Sequence, residues 1–109
     1  MTIEKFITDT LIKKAYSLEP IGINELSWKK KDAIQVIKEL MERKKAILGG
    51  DVYKKNKTLI QPTYDSWYCE INTNENIEDF LLRSINKSID YIRNYDEKNN
   101  DDYYYTIVV

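Results

Sequence analysis

The hydrophobic period of this chain changes three times along its length, and that pattern restricts it to a mixed helix-and-sheet fold. Ile3, Phe6, Ile7, Leu11, Ala15 and Leu18 recur every three or four residues, with Lys5, Asp9, Lys13 and Lys14 mostly between them. Such spacing gives one apolar stripe on a helix. It predicts a helix over about 3–17, stopped by Pro20 and Gly22. A second stripe, Ala33, Ile34, Val36, Ile37, Leu40 and Met41, predicts a helix over about 27–44, with the Ser27 hydroxyl as its N-cap.

From residue 46 the period shortens. Ala46–Tyr53 is rich in strand formers and is interrupted by Gly49 and Gly50. With Thr58–Tyr64 it predicts a hairpin around a Lys54–Lys57 turn. Pro62 donates no ladder bond and belongs near an edge or a strand end. Ser66–Ile71 predicts a third strand, with Trp67, Cys69 and Ile71 on one face and Tyr68 and Glu70 on the other. The helical period then returns in Ile77, Phe80, Leu81, Ile85, Ile89, Ile92 and Tyr95, a helix over about 76–95. Tyr103–Val109 reads as a closing strand that would be an aggregation hazard if unpaired. The order α-α-β-β-β-α-β argues for an α+β fold. We expect a mainly antiparallel sheet of three to four strands, with helices on one face and the other partly open. Its 109 residues suit a single domain spanning 1–109.

Composition removes much chemistry. There is no histidine, so the Ser-His-Asp and Cys-His nucleophile systems are excluded. The single Cys69 permits neither a thiolate zinc cluster nor an intrachain disulfide. The three glycines, Gly22, Gly49 and Gly50, are spaced for neither glycine-rich phosphate-binding motif. No apolar run is long enough to span a membrane, and the N-terminus lacks the layout of a signal peptide. We therefore expect a non-enzymatic, cytoplasmic protein with no cofactor and no bound metal.

Charge and aromatic content point to a partner. Residues 1–57 carry 13 basic and 8 acidic side chains, whereas 58–109 carry 4 and 10. A field of that shape steers charged partners. Pro62–Tyr68 holds three aromatics and a carboxylate in seven residues, and Tyr and Trp dominate interface hot spots. Alternation cannot bury all three, so Tyr64 or Tyr68 should be exposed. Paired glycines serve a bulge, a bend or a close backbone approach. Here a bulge could also re-aim Asp51 and Tyr53 onto an open face. Alternation likewise separates Tyr103 and Tyr105 from Tyr104, and one set should be core. Asp51, Asp65 and Glu70 match no metal-ligand spacing. The alternative partner is nucleic acid, bound winged-helix fashion by Lys29, Lys30 and Lys31 on a helix and Lys54, Lys55 and Lys57 on a hairpin. Scarce arginine and an acidic second half speak against it.

Gly49-Gly50-Asp51-Val52-Tyr53, Pro62-Thr63-Tyr64-Asp65-Ser66-Trp67 and the Ser84–Ile92 stretch of the last helix, which continues to Tyr95, together resemble a known family. They are similar to the bacterial polymorphic-toxin immunity proteins of the group called immunity protein 40. That group carries a Gly-Gly-Asp-Val-Tyr strand, a Tyr-Asp-x-Trp segment and a Ser-x-x-x-(Ala/Ser)-x-x-Tyr-Ile helix. The likeness covers about 26–109. It implies a small cytoplasmic protein, encoded beside a secreted toxin, that binds and neutralises that toxin without catalysis. Asp51, Tyr53, Tyr64, Asp65 and Trp67 match its pattern, in service of fold or of binding. With Tyr68 and Glu70 they form the expected partner-binding set of a monomer or homodimer.

Overall fold

The computed structural model describes residues 3–98 and 101–109. Its elements are α1 (Asp9–Lys14), β1 (Tyr16–Ser17), β2 (Leu26–Ser27), α2 (Lys30–Glu42), β3 (Gly49–Lys55), β4 (Ile60–Tyr68), α3 (Ile77–Asn94) and β5 (Asp102–Tyr105). Short 3₁₀ turns occupy Ile3–Phe6 and Glu19–Ile21. The class is α+β, as the alternating periods predict. No helix among the described residues is long and apolar enough to cross a membrane.

β3 is the central strand of an antiparallel sheet ordered β4-β3-β5. Its pairing with β5 runs from Lys55↔Asp102 to Val52↔Tyr105, and a further bridge joins Gly49 to Val108. On the other side, the register passes from Asp51↔Ser66 to Tyr53↔Pro62. β4 therefore carries two extra residues opposite Val52. An even insertion bulges the strand yet leaves each side chain on its own face.

The inner face carries Val52, Trp67, Tyr103, Tyr105 and Ile107, all buried. Against it pack Ala33, Val36, Ile37 and Leu40 of α2 with Ile85 and Ile92 of α3. Each fully buried aliphatic side chain there contributes about 1.5–3 kcal/mol. Small residues let α3 approach closely. Ser88 Oγ accepts the Trp67 indole N–H at 2.9 Å and donates to the Ser84 carbonyl at 2.7 Å. Ser84 Oγ in turn accepts the Ile47 amide.

Four sequence expectations change in the structure. The first helix is two short pieces, because Thr8 turns out of helix so that its amide and hydroxyl both reach the Glu39 carboxylate of α2. Ser27 lies in β2, where its hydroxyl donates to the Tyr16 carbonyl, and Lys29 holds the N-cap position of α2. The second and third predicted strands are one strand, β4, whose bulge looks like a break when only sequence is read. Finally, both sets of closing tyrosines are buried. Tyr104 joins Tyr53, Ile60 and Leu18 in a second cluster on the outer face. That cluster is roofed by the 16–27 segment, while Ser66 and Tyr68 of the same face stay exposed and Asp51 is half-buried.

Candidate functional site

β4 is an edge strand, and it presents two free aromatic rings. Tyr64 is 89% exposed and Tyr68 is 69% exposed. Tyr64 stands at the bulge, with a φ of +69°. On either side of it, the Thr63 hydroxyl donates to the Val52 carbonyl at 2.9 Å and accepts the Asp65 amide at 3.1 Å. The Tyr95 hydroxyl donates to Asp65 Oδ2 at 2.6 Å. Burial, then that carboxylate, pushes the Tyr95 phenol up to about 12. Tyr68 is held by Lys87, whose ammonium bonds its carbonyl at 2.6 Å and lies 5.4 Å from its ring centre.

Beneath this edge lies a bed of rings. Trp67 stacks on Tyr91 with centroids 4.8 Å apart. Tyr91 leads to Tyr95, which meets Tyr103 at 5.8 Å and the edge of Tyr105 at 5.9 Å. Offset and edge-to-face pairs of this kind favour one fixed arrangement. The Tyr105 hydroxyl donates to Glu97, and burial together with that carboxylate raises its pKa. A shallow, open groove lined by Tyr64, Asp65, Tyr95, Asp96, Lys54 and Lys98 runs along the bulge.

The remaining expected residues separate into two groups. Tyr53 and Trp67 are each only 5% exposed: Trp67 lies in the core beneath the edge, and Tyr53 lies in the outer-face cluster beside it. A bulge at the glycines does not re-aim Tyr53 outward: the bulge is in β4, and the glycines serve close packing. A Cβ on Gly50 would meet the Trp67 ring and the Thr106 carbonyl. Asp51 is half-buried on the outer face, its amide bonded to Thr106 Oγ1. Burial, then Asp51, raises the Glu25 carboxyl. Glu70 is exposed, and its carbonyl is clamped by Arg83. Arg83 also grips Glu75 through two nitrogens, at 2.9 and 2.8 Å. Hydrogen bonds from Arg83 and from the Asn72 amide hold the Glu75 carboxyl down to about 2.

Sequence reading missed Arg83, Lys87, Glu25 and the role of Tyr91 beside Tyr95. The four-residue spacing of the two tyrosines was the available signal, since such pairs share a helix face. The winged-helix alternative is not supported. Lys30 donates to the Tyr95 carbonyl at the end of α3, and Lys29 lies 3.9 Å from Asp102, so two of the three run lysines make contacts inside the molecule.

A family model described as Immunity protein 40 matches residues 17–109. The chain belongs to the immunity protein 40 family. No curated protein and no solved structure matches it. The immunity protein 40 match begins upstream of the likeness visible in the motifs, which starts near residue 26. The added stretch, about 17–25, lies within the segment that roofs Tyr53 and Tyr104, so it is part of the packed fold. Membership also makes the chain an immunity protein, and it implies that the partner is a protein.

Proposed function

We propose that this immunity protein neutralises a toxin domain by binding it stoichiometrically in the cytoplasm, as a monomer or homodimer and without chemistry of its own. The contact surface is the β4 edge with the adjoining open part of the outer face: Tyr64, Asp65, Tyr68 and Glu70, flanked by Asp51. Trp67 holds that surface rigid from beneath, and Tyr53 is packed beside it in the outer-face cluster. The observation that carries this reading is the pair of exposed tyrosines on an edge strand in a chain of this family.

The dimensions fit. The folded chain exposes 7025 Å², and a standard interface takes ~800 Å² from each partner, about one ninth of that surface. A rigid aromatic edge also reduces the ordering cost of association. The groove beside Tyr64 is shallow and open, which suits a protein face better than an enclosed substrate.

The test is to mix the purified protein with the toxin domain encoded beside its gene. A one-to-one complex, and rescue of growth when both are expressed together, are the expected results. Free toxin in the presence of excess protein would defeat the proposal.

A further inference from the structure

Three non-glycine residues of the described chain have a positive φ: Lys44 at +55°, Tyr64 at +69° and Asn74 at +67°. Lys44 follows the C-cap of α2, where the Lys45 amide bonds the Leu40 carbonyl and the Lys44 amide bonds the Met41 carbonyl. A left-handed residue is the ordinary way to end a helix. Asn74 is a residue type that tolerates this region. Tyr64 has neither explanation. It is bulky, it lies inside a strand, and its backbone conformation is one that L-residues other than Gly, Asn and Asp rarely adopt.

Nothing inside the fold accounts for a tyrosine at this position. Its side chain is 89% exposed. Its immediate neighbours brace the bulge without it, through Thr63 to Val52 and through Asp65 to Tyr95. Glycine or asparagine would satisfy the same backbone with less strain. Strained conformations of this kind collect at binding and switch sites, where the surrounding structure enforces them.

We infer that Tyr64 is the pre-positioned anchor of the toxin complex, a phenol held out to enter a pocket on the toxin surface. This rests on the toxin-binding reading above. The receiving pocket has apolar walls that fit one ring, and a basic residue beside it faces Asp65. Asp65 is exposed, with one of its oxygens taken by Tyr95, and it belongs to the acidic half of the chain. Two braces already fix the chain on either side of Tyr64, so little backbone freedom remains to be lost on binding.

Because the strain and the contact belong to one residue, the test separates folding from binding. Thermal melts of the free protein are compared with calorimetric titrations into the neighbouring toxin domain, for wild type, Tyr64→Asn and Tyr64→Phe. Tyr64→Asn should melt higher by about 4 °C and bind at least about 30-fold more weakly. Tyr64→Phe keeps the ring and should stay within about tenfold of wild type. An asparagine variant that binds as wild type does would overturn the anchor and leave toxin binding standing. The bulge would then serve to guard the β4 edge against strand pairing. A variant that melts lower as well as binding more weakly would place the ring in the fold and also overturn it. If wild type fails to bind, the functional reading falls and the anchor falls with it.

Discussion

The indole N–H of Trp67 donates to Ser88 Oγ at 2.9 Å, across 21 residues of sequence, in a region closed to water. This bond ties β4 to α3 and sets the height of the aromatic bed under Tyr64 and Tyr68. Replacing Ser88 by Ala would leave a buried donor without a partner, which costs about 1–3 kcal/mol. Ser88→Ala should therefore lower the melting temperature by roughly 5 °C or more, read by circular dichroism. An unchanged melt would show that the indole finds another acceptor.

Gly50 and Gly22 should respond differently to alanine. At Gly50 the added methyl meets the Trp67 ring and the Thr106 carbonyl, neither of which can withdraw without moving the sheet. Overpacking of this kind reaches about 3 kcal/mol. At Gly22 the φ is +81° but the new Cβ meets nothing, so only the backbone penalty of roughly 1 kcal/mol applies. Urea unfolding of Gly50→Ala and Gly22→Ala should rank them in that order.

Acid should loosen the 70–75 loop before the sheet. The folded Glu75 carboxyl sits at about 2, below its ordinary 4.5, because Arg83 and the Asn72 amide bond its charged form. A depressed carboxylate contributes stability that is present above 4.5 and is lost as the pH falls toward 2. Glu75→Gln should flatten the pH dependence of stability in that window while leaving the slope at higher pH unaltered. Denaturant melts from pH 6 to pH 2 measure this.

Alkali acts through the tyrosines with the opposite sense. Burial, with nearby carboxylates, raises Tyr53, Tyr91, Tyr95, Tyr104 and Tyr105 above their ordinary 10, and Tyr95 is pushed up to about 12. Raised groups stabilise the fold below pH 10, and that contribution is lost as the pH climbs toward 12. Tyrosinate absorbance at 295 nm should show a late phase that coincides with loss of structure. Complete tyrosine ionisation in a still-folded protein would contradict this.

Two substitutions on the proposed surface should affect different rate constants. Glu70 is exposed, and its carboxylate makes none of the hydrogen bonds described above, so Glu70→Lys should slow association about 3–10-fold at low salt and less at high salt. Tyr68→Ala removes contact area and should chiefly speed dissociation. Stopped-flow mixing with the toxin domain at two ionic strengths distinguishes them. If neither rate moves, the binding face lies elsewhere.

Much of this architecture is legible in sequence because periodicity is local. The stripe Ala33, Val36, Ile37 and Leu40 is buried as its spacing requires, and Ile85 and Ile92 of the last helix follow suit. The paired glycines left a bulge, a bend or a close approach open, and the structure shows the close approach, Trp67 over Gly50. The break of the first helix was hidden, because Thr8 leaves helical geometry for Glu39, 31 residues away. The roof over Tyr53 and Tyr104 was hidden for a similar reason. Tyr16, Ile21 and Ile23 show no period, and they acquire an apolar partner only once β3 and β5 are paired.

The sequence by itself determined that α2 and α3 are helices and that β3, β4 and β5 are strands, and it excluded histidine chemistry and thiolate metal clusters. Both follow from residue identity and spacing of a few positions. Tertiary structure alone decided which tyrosines reach solvent. That depends on a two-residue register shift opposite Val52 and on the bond between Asp65 and Tyr95, 30 residues apart. Side-chain alternation specifies two faces, but it carries no information about what will cover each of them.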